Sequence, residues 1–177
     1  RGFNSIFAVA SIDAAKRYYS AFKSLQKDLP ERERLKIGLI YSFAVNEEDP
    51  DGLLADEQFE TEGLDKTSRD FLDSAIEDYN TVFGTSYDTS SNLFENYYKD
   101  LTKRLRNRDL DMVIVVNMLL TGFDATTLNT LWVDKNLRQH GLIQAFSRTN
   151  RILNSVKTYG NIVCFRDLEK NTNDAIS

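Results

Sequence analysis

A chain of 177 residues with 41% hydrophobic and 28% charged residues has the composition of a globular domain with a real core. Its formal net charge of −5 excludes a uniformly basic nucleic-acid coat, although local basic patches remain open. One cysteine, Cys164, rules out an intrachain disulfide and a cysteine-based zinc site, and no apolar run approaches a membrane span.

Residues 5 to 10 are short, apolar and strand-like, with Ser11 and Asp13 following as helix caps. Ala14, Ala15, Tyr18, Tyr19, Phe22 and Leu25 then recur at helical spacing up to Pro30, and residues 35 to 44 (LKIGLIYSFA) predict a second strand. Strand, helix, strand is the beginning of a βαβ unit with a parallel sheet. From 45 to 90 the character changes. Glu47, Glu48, Asp49, Asp51, Asp56, Glu57, Glu60, Glu62 and Asp65 crowd the first half, which reads as an acidic excursion from the sheet. The spacing matches no calcium loop, so solvated charge accounts for it and no metal site is expected. Phe71, Leu72, Ala75, Ile76, Tyr79 and Val82 make a helix stripe ending at Gly84, and a further helix is expected from Ser91 to about Arg108. Residues 45 to 108 therefore read as an acidic and helical insertion.

Residues 112 to 116 (MVIVV) form a near-continuous β-branched run, the mark of a strand buried on both faces. Thr121-Gly122-Phe123-Asp124 comes shortly after, then a strand at 128 to 134, a helix from about Gln139 to Leu153, and a last strand from Gly160 to Phe165 in which Cys164 is expected as a small buried hydrophobe. The low cysteine count fits a reducing compartment. No signal peptide is visible, and the opening Arg1-Gly2-Phe3 without an initiator Met reads as a piece of a longer polypeptide. The whole, 1 to 177, is expected to be one α/β domain with a parallel central sheet.

The helix after the fourth strand carries Gln144-Ala145-Phe146-Ser147-Arg148-Thr149-Asn150-Arg151. Two arginines three apart share a helix face, and two planar donor forks imply an anionic partner such as a polyphosphate. In open α/β sheets ligands sit beyond the carboxyl ends of the strands. Three segments leave strands there: Ser11-Ile12, Thr121 to Asp124, and Asp134-Lys135-Asn136. Gly122 allows close backbone approach, Thr121 offers a hydroxyl and an amide to a phosphate, and Asp124 can accept from a sugar hydroxyl or orient an arginine. No G-x-x-x-x-G-K-[ST] loop and no G-x-G-x-x-G fingerprint occurs. His140, the single histidine, leaves no acyl-transfer triad and reads as a surface or packing residue. Phosphate-facing arginines without a phosphate cradle describe a domain that completes another domain's active site.

Residues 115 to 151 closely resemble the motor subunit of type I restriction enzymes, superfamily 2 translocases with two RecA-like domains. Leu120 to Asp124 looks like helicase motif V and Gln144 to Arg151 like motif VI, while the Ala10-Ser11-Ile12 region resembles the start of the second RecA-like domain. Ile76 to Asn80, with Phe83-Gly84-Thr85, is similar to that family's insertion. Thr126 stands where the family often has proline, a change that affects only loop stiffness. The resemblance implies a RecA-like three-layer fold of the P-loop NTPase type. It also implies Arg151 as an arginine finger toward ATP on the preceding domain, Arg148 beside it, Gln144 coupling that site to the motif, and Gly122 and Asp124 at the cleft. Thr121 and Ser11 would touch the DNA backbone. ATP with Mg²⁺ would be held by the first RecA-like domain. Implied partners are duplex DNA, the first RecA-like and nuclease domains of the same subunit, and modification and specificity subunits, in a bacterial or archaeal cytoplasm. The isolated chain would be inactive. Two other readings are another superfamily 2 helicase or remodeller, and a catalytically silent interaction domain docked through its acidic segment.

Overall fold

A computed structural model describes residues 3–42, 61, 64–116, 118–120, 123–137, 139–151, 157–168 and 172–173, the side chains of Gln139 and His140 excepted. Among them, five strands form one sheet: β1 (Asn4–Val9), β2 (Ile37–Ile40), β3 (Met112–Val115), β4 (Leu128–Asp134) and β5 (Asn161–Cys164). Their order is β2-β3-β1-β4-β5 and every pairing is parallel. The central strands are those with the densest apolar runs. Ile6, Ala8, Val113, Ile114, Val115, Leu131 and Val133 are all fully buried, as expected of parallel strands covered on both faces.

Helix α1 (Ile12–Gln26) starts where Ser11, in extended conformation, accepts a hydrogen bond from the Ala14 amide at 3.2 Å. Helix α2 (Lys66–Phe83) is capped by Asp65 at its start and ends at Gly84, whose φ of 66° is the left-handed turn that glycine adopts without Cβ strain. Helix α3 (Ser91–Asn107) leads to β3, and α4 (Gln139–Phe146) follows β4.

The pleat sorts these helices into layers. Phe7 meets Tyr18 of α1, ring centroids 4.6 Å apart. Gly38, in register with Val113 and through it with Ile6, faces the other way, and a Cβ there would meet Leu101 of α3 at 3.0 Å. So α1 and α3 cover opposite faces. α2 runs beside edge strand β2 and touches both, through Tyr19–Asp78 at 3.0 Å and Tyr79–Asp100 at 2.7 Å. The crossover β4–α4–β5 runs in the direction opposite to β1–α1–β2, and right-handed crossovers then set α4 on the α3 face. The result is a RecA-like three-layer α/β fold. The helices between β2 and β3 belong to those layers, since Phe94, Tyr97, Leu101 and Leu105 of α3 are fully buried. Of the acidic stretch expected from 47 to 65, Asp65 is the one acid within the described residues.

Two expectations are corrected. The α-helix expected from Gln139 to Leu153 stops at Phe146 and tightens into a 3-10 turn over Ser147–Thr149, with Arg151 beyond it. Arg148 and Arg151 therefore do not share an α-helical face. The Arg148 side chain donates to the Gln144 carbonyl at 3.0 Å, satisfying one of the acceptors a helix end leaves open. Cys164 is exposed rather than buried, because β5 pairs with β4 on one side only and is the outer strand of the described sheet.

Candidate functional site

Among the described residues no helix joins β3 to β4, and since the two strands run parallel the chain must return across the sheet within residues 116–127. It carries Leu119 at φ 62°, a left-handed conformation that costs a branched residue about 1–2 kcal/mol. No glycine marks this strained turn, so it leaves no sign in the sequence. Thr121 and Gly122, expected at the DNA and nucleotide contacts, lie outside the described residues.

Beyond the turn, side chains from distant elements anchor the loop. The Asp124 carbonyl accepts from Arg106 Nε at 3.1 Å, and the Arg106 guanidinium lies 5.1 Å from the Phe123 ring centroid. Arg106 is at the carboxyl end of α3. The Thr127 hydroxyl reaches the Arg106 carbonyl at 3.2 Å, the Asn4 amide reaches the Thr127 carbonyl at 3.4 Å, and β4 begins at Leu128. Phe123 and Asp124 thus sit at the amino-terminal edge of the sheet. Helix α4 runs from the carboxyl edge back to the same place, and its end delivers the arginines there.

Arg148 is half-buried and donates three ways: Nη1 to the Phe123 carbonyl at 2.7 Å, Nε to the Gln144 carbonyl at 3.0 Å, and Nη2 to the Ser147 hydroxyl at 2.9 Å. These bonds fasten the β3–β4 loop to the end of α4. Arg151 is different. Its Nε donates to Asp124 Oδ1 at 3.0 Å, and the two side chains are 61% and 53% exposed. A bond made through Nε leaves the two Nη groups as donors for an outside anion. Gln144 is half-buried, and its carbonyl also accepts from the Ser147 hydroxyl at 2.7 Å.

The structure therefore brings together Asp124, Gln144, Arg148 and Arg151, and separates them from Ser11. Of the three segments expected to leave strand ends, the arginines meet the one that carries Phe123 and Asp124, and that segment has returned to the amino-terminal edge. Ser11 follows β1 at the carboxyl edge, where Asp134 ends β4. Asp134 is engaged there by Tyr18 Oη at 2.8 Å and Arg166 Nε at 3.2 Å. The hydrogen bond to Asp134, then burial, pushes the Tyr18 phenol above its ordinary range. The two edges are a strand length apart, so the domain has one basic, exposed end and one hydroxyl-bearing helix start at the other.

Sequence reasoning missed Lys157. Its side chain is 2% exposed, and its ammonium donates to the carbonyls of Thr149 and Arg151 at 2.7 and 2.6 Å. Burial lowers its pKa below the usual lysine range. No periodicity marks it, since it precedes β5 in an irregular stretch. Among the described residues there is no group of three or more His, Cys, Asp or Glu that could hold a metal ion, and no helix long and apolar enough to cross a membrane. An open groove of about 510 Å³ beside α2, lined by Asp73, Glu77, Asn80 and Thr89 among others, is closed on itself chemically: Asp73 accepts from the Thr89 amide and hydroxyl, and Asn80 ties down Thr85 and Tyr87.

Comparison with known proteins gives a consistent result. Residues 1–167 match the family described as type I restriction enzyme subunit R domain 3. The chain is 44% identical, over 99% of its length, to a type I restriction enzyme endonuclease subunit of Staphylococcus aureus (strain COL), and 43% identical over the same share to one of Staphylococcus saprophyticus. A putative type I restriction enzyme endonuclease subunit of the archaeon Methanocaldococcus jannaschii is 52% identical over 44 residues, 25% of this chain and 4% of that protein. The chain spans 18% of the length of the two staphylococcal relatives.

Proposed function

The chain belongs to the type I restriction enzyme subunit R domain 3 family, and from that premise we propose that residues 1–177 are the second RecA-like motor domain of an ATP-dependent DNA translocase. In this reading Arg151 is an arginine finger that reaches the γ-phosphate of ATP held by the first motor domain. Arg148 stands beside it as the residue that fixes the loop geometry. Gln144, and Gly122 with Asp124, belong to the same interdomain cleft. Thr121 and Ser11 contact the DNA backbone.

The observation that carries the reading is the exposed Arg151 guanidinium, oriented through Nε by Asp124 at the sheet edge. A planar fork held by one carboxylate and otherwise open to solvent is suited to a phosphate brought by another body. The residues present fit one side of a nucleotide and not the other. They offer guanidinium groups, but the sequence has no G-x-x-x-x-G-K-[ST] loop and the described residues no acidic metal cluster. The phosphates and Mg²⁺ are therefore assigned to the neighbouring domain. ATP supplies the phosphoanhydride whose hydrolysis drives the motor, and an arginine placed on it contributes about 10³ to 10⁵ in rate.

Ser11 supports the DNA assignment in a limited way. Its oxygen accepts from Ala14, which leaves its hydroxyl proton for a phosphate beside the first turn of α1. Backbone contacts of this kind need no overall positive charge. Duplex DNA, the first motor and nuclease domains, and modification and specificity subunits are the partners this function requires, with the bacterial or archaeal cytoplasm as its setting. The isolated chain should hydrolyse no ATP, because the nucleotide-holding groups are elsewhere. Turnover by the pure 177-residue chain contradicts this division of labour.

A further inference from the structure

We propose that Lys157 and Gly160 form a clamp that positions Arg151, an inference that rests on the arginine-finger reading. The problem it solves is visible in the backbone. Helix α4 ends at Phe146 and the 3-10 turn ends at Thr149, so Arg151 lies beyond both. A finger on such a segment loses catalytic geometry unless something else holds it, and small misplacements are costly in rate.

The stretch 157–160 provides the hold from two sides. Lys157 reaches in and donates to the carbonyls of Thr149 and Arg151 at 2.7 and 2.6 Å, bracketing the turn. A charged side chain that is 2% exposed is rare. A positive charge at this helix end also matches the dipole of α4. Gly160 closes the other side. A Cβ there would overlap the carbonyl oxygen, Cβ and Oγ1 of Thr149, so the backbone leading into β5 packs directly on the turn. Thr149, 2% exposed, is held between them. The arginine segment is thereby pinned to the sheet through β5, which begins at the next residue.

The test uses a full-length endonuclease subunit carrying this domain, with DNA-stimulated ATP hydrolysis and thermal stability measured for Lys157→Met, Gly160→Ala, Arg151→Ala and the double variant Lys157→Met/Arg151→Ala. Lys157→Met and Gly160→Ala are expected to lower kcat between about 10- and 100-fold with KM for ATP changed less than about threefold. The double variant is expected to be no slower than Arg151→Ala alone, because Lys157 acts through that residue. If Lys157→Met fails to fold, Gly160→Ala decides the matter. Wild-type kcat in both, or losses that multiply in the double variant, overturns the clamp. Wild-type kcat in Arg151→Ala overturns the finger reading itself, so the two failures are distinct.

Discussion

Arg151 and Asp124, 27 residues apart in sequence, meet through a single Nε–Oδ1 hydrogen bond of 3.0 Å in which both side chains remain more than half exposed. Exposed pairs of this kind contribute about 0–1 kcal/mol to stability, so the pair is better explained by what it orients than by what it stabilises. Asp124→Asn should therefore leave the melting temperature within about 4 °C of wild type. In the full-length subunit it should slow ATP hydrolysis about 10- to 100-fold by releasing the guanidinium. Unchanged hydrolysis would remove Asp124 from the site.

Arg148 should behave in the opposite way. It holds the Phe123 carbonyl, the Gln144 carbonyl and the Ser147 hydroxyl at once, and truncation takes this donor from the Phe123 carbonyl, while the Gln144 carbonyl keeps the Ser147 hydroxyl. Arg148→Ala should cost about 1–3 kcal/mol in urea unfolding. Arg148→Lys should not recover it, since an ammonium cannot reproduce the fork. Arg151→Ala should be nearly neutral by the same measurement. Equal stability of Arg148→Ala and wild type would contradict the fastening role.

Much of the fold is legible in the sequence, for identifiable reasons. The β-branched run at 112–115 announces a strand buried on both faces, Ser11 announces a helix start, and Gly84 a helix end, because each signal is local. The features that escape sequence reading depend on partners far along the chain. The end of α4 carries neither glycine nor proline; it is made by Arg148 folding back onto Gln144 and by Lys157 from beyond the turn. Cys164 sits in an apolar run, but whether a run is central or at an edge is decided by strand order. Motif order alone sets Asp124 at the carboxyl end of β3, because it does not say that the connection crosses the sheet before Asp124.

Ser11 carries two roles that substitution can separate. Ser11→Ala removes the cap of α1 and should cost about 1 kcal/mol. Ser11→Asp keeps a capping oxygen and should keep the stability, while its charge repels a phosphate. DNA binding by the full-length subunit should fall in both variants. Undiminished binding by Ser11→Asp would exclude a phosphate at this helix start.

Acid stability has a specific contributor at the start of α2. The Ser68 hydroxyl and amide, donating at 2.5 and 3.0 Å, hold the Asp65 carboxyl below the usual carboxylate range. A depressed folded-state pKa gives stability that is present above the unfolded value and lost as pH falls through the folded one. Asp65→Asn should therefore flatten the stability profile below about pH 4. An acid transition identical to wild type would count against this assignment.

The central claim is that this domain supplies an arginine to an ATP whose phosphates another domain holds. The most direct measurement is nucleotide binding and single-turnover hydrolysis by Arg151→Ala in the full-length subunit on DNA. The expected result is near-normal ATP affinity with hydrolysis slowed by about 10³ or more. Hydrolysis near the wild-type rate, or loss of binding in place of loss of turnover, would contradict the account.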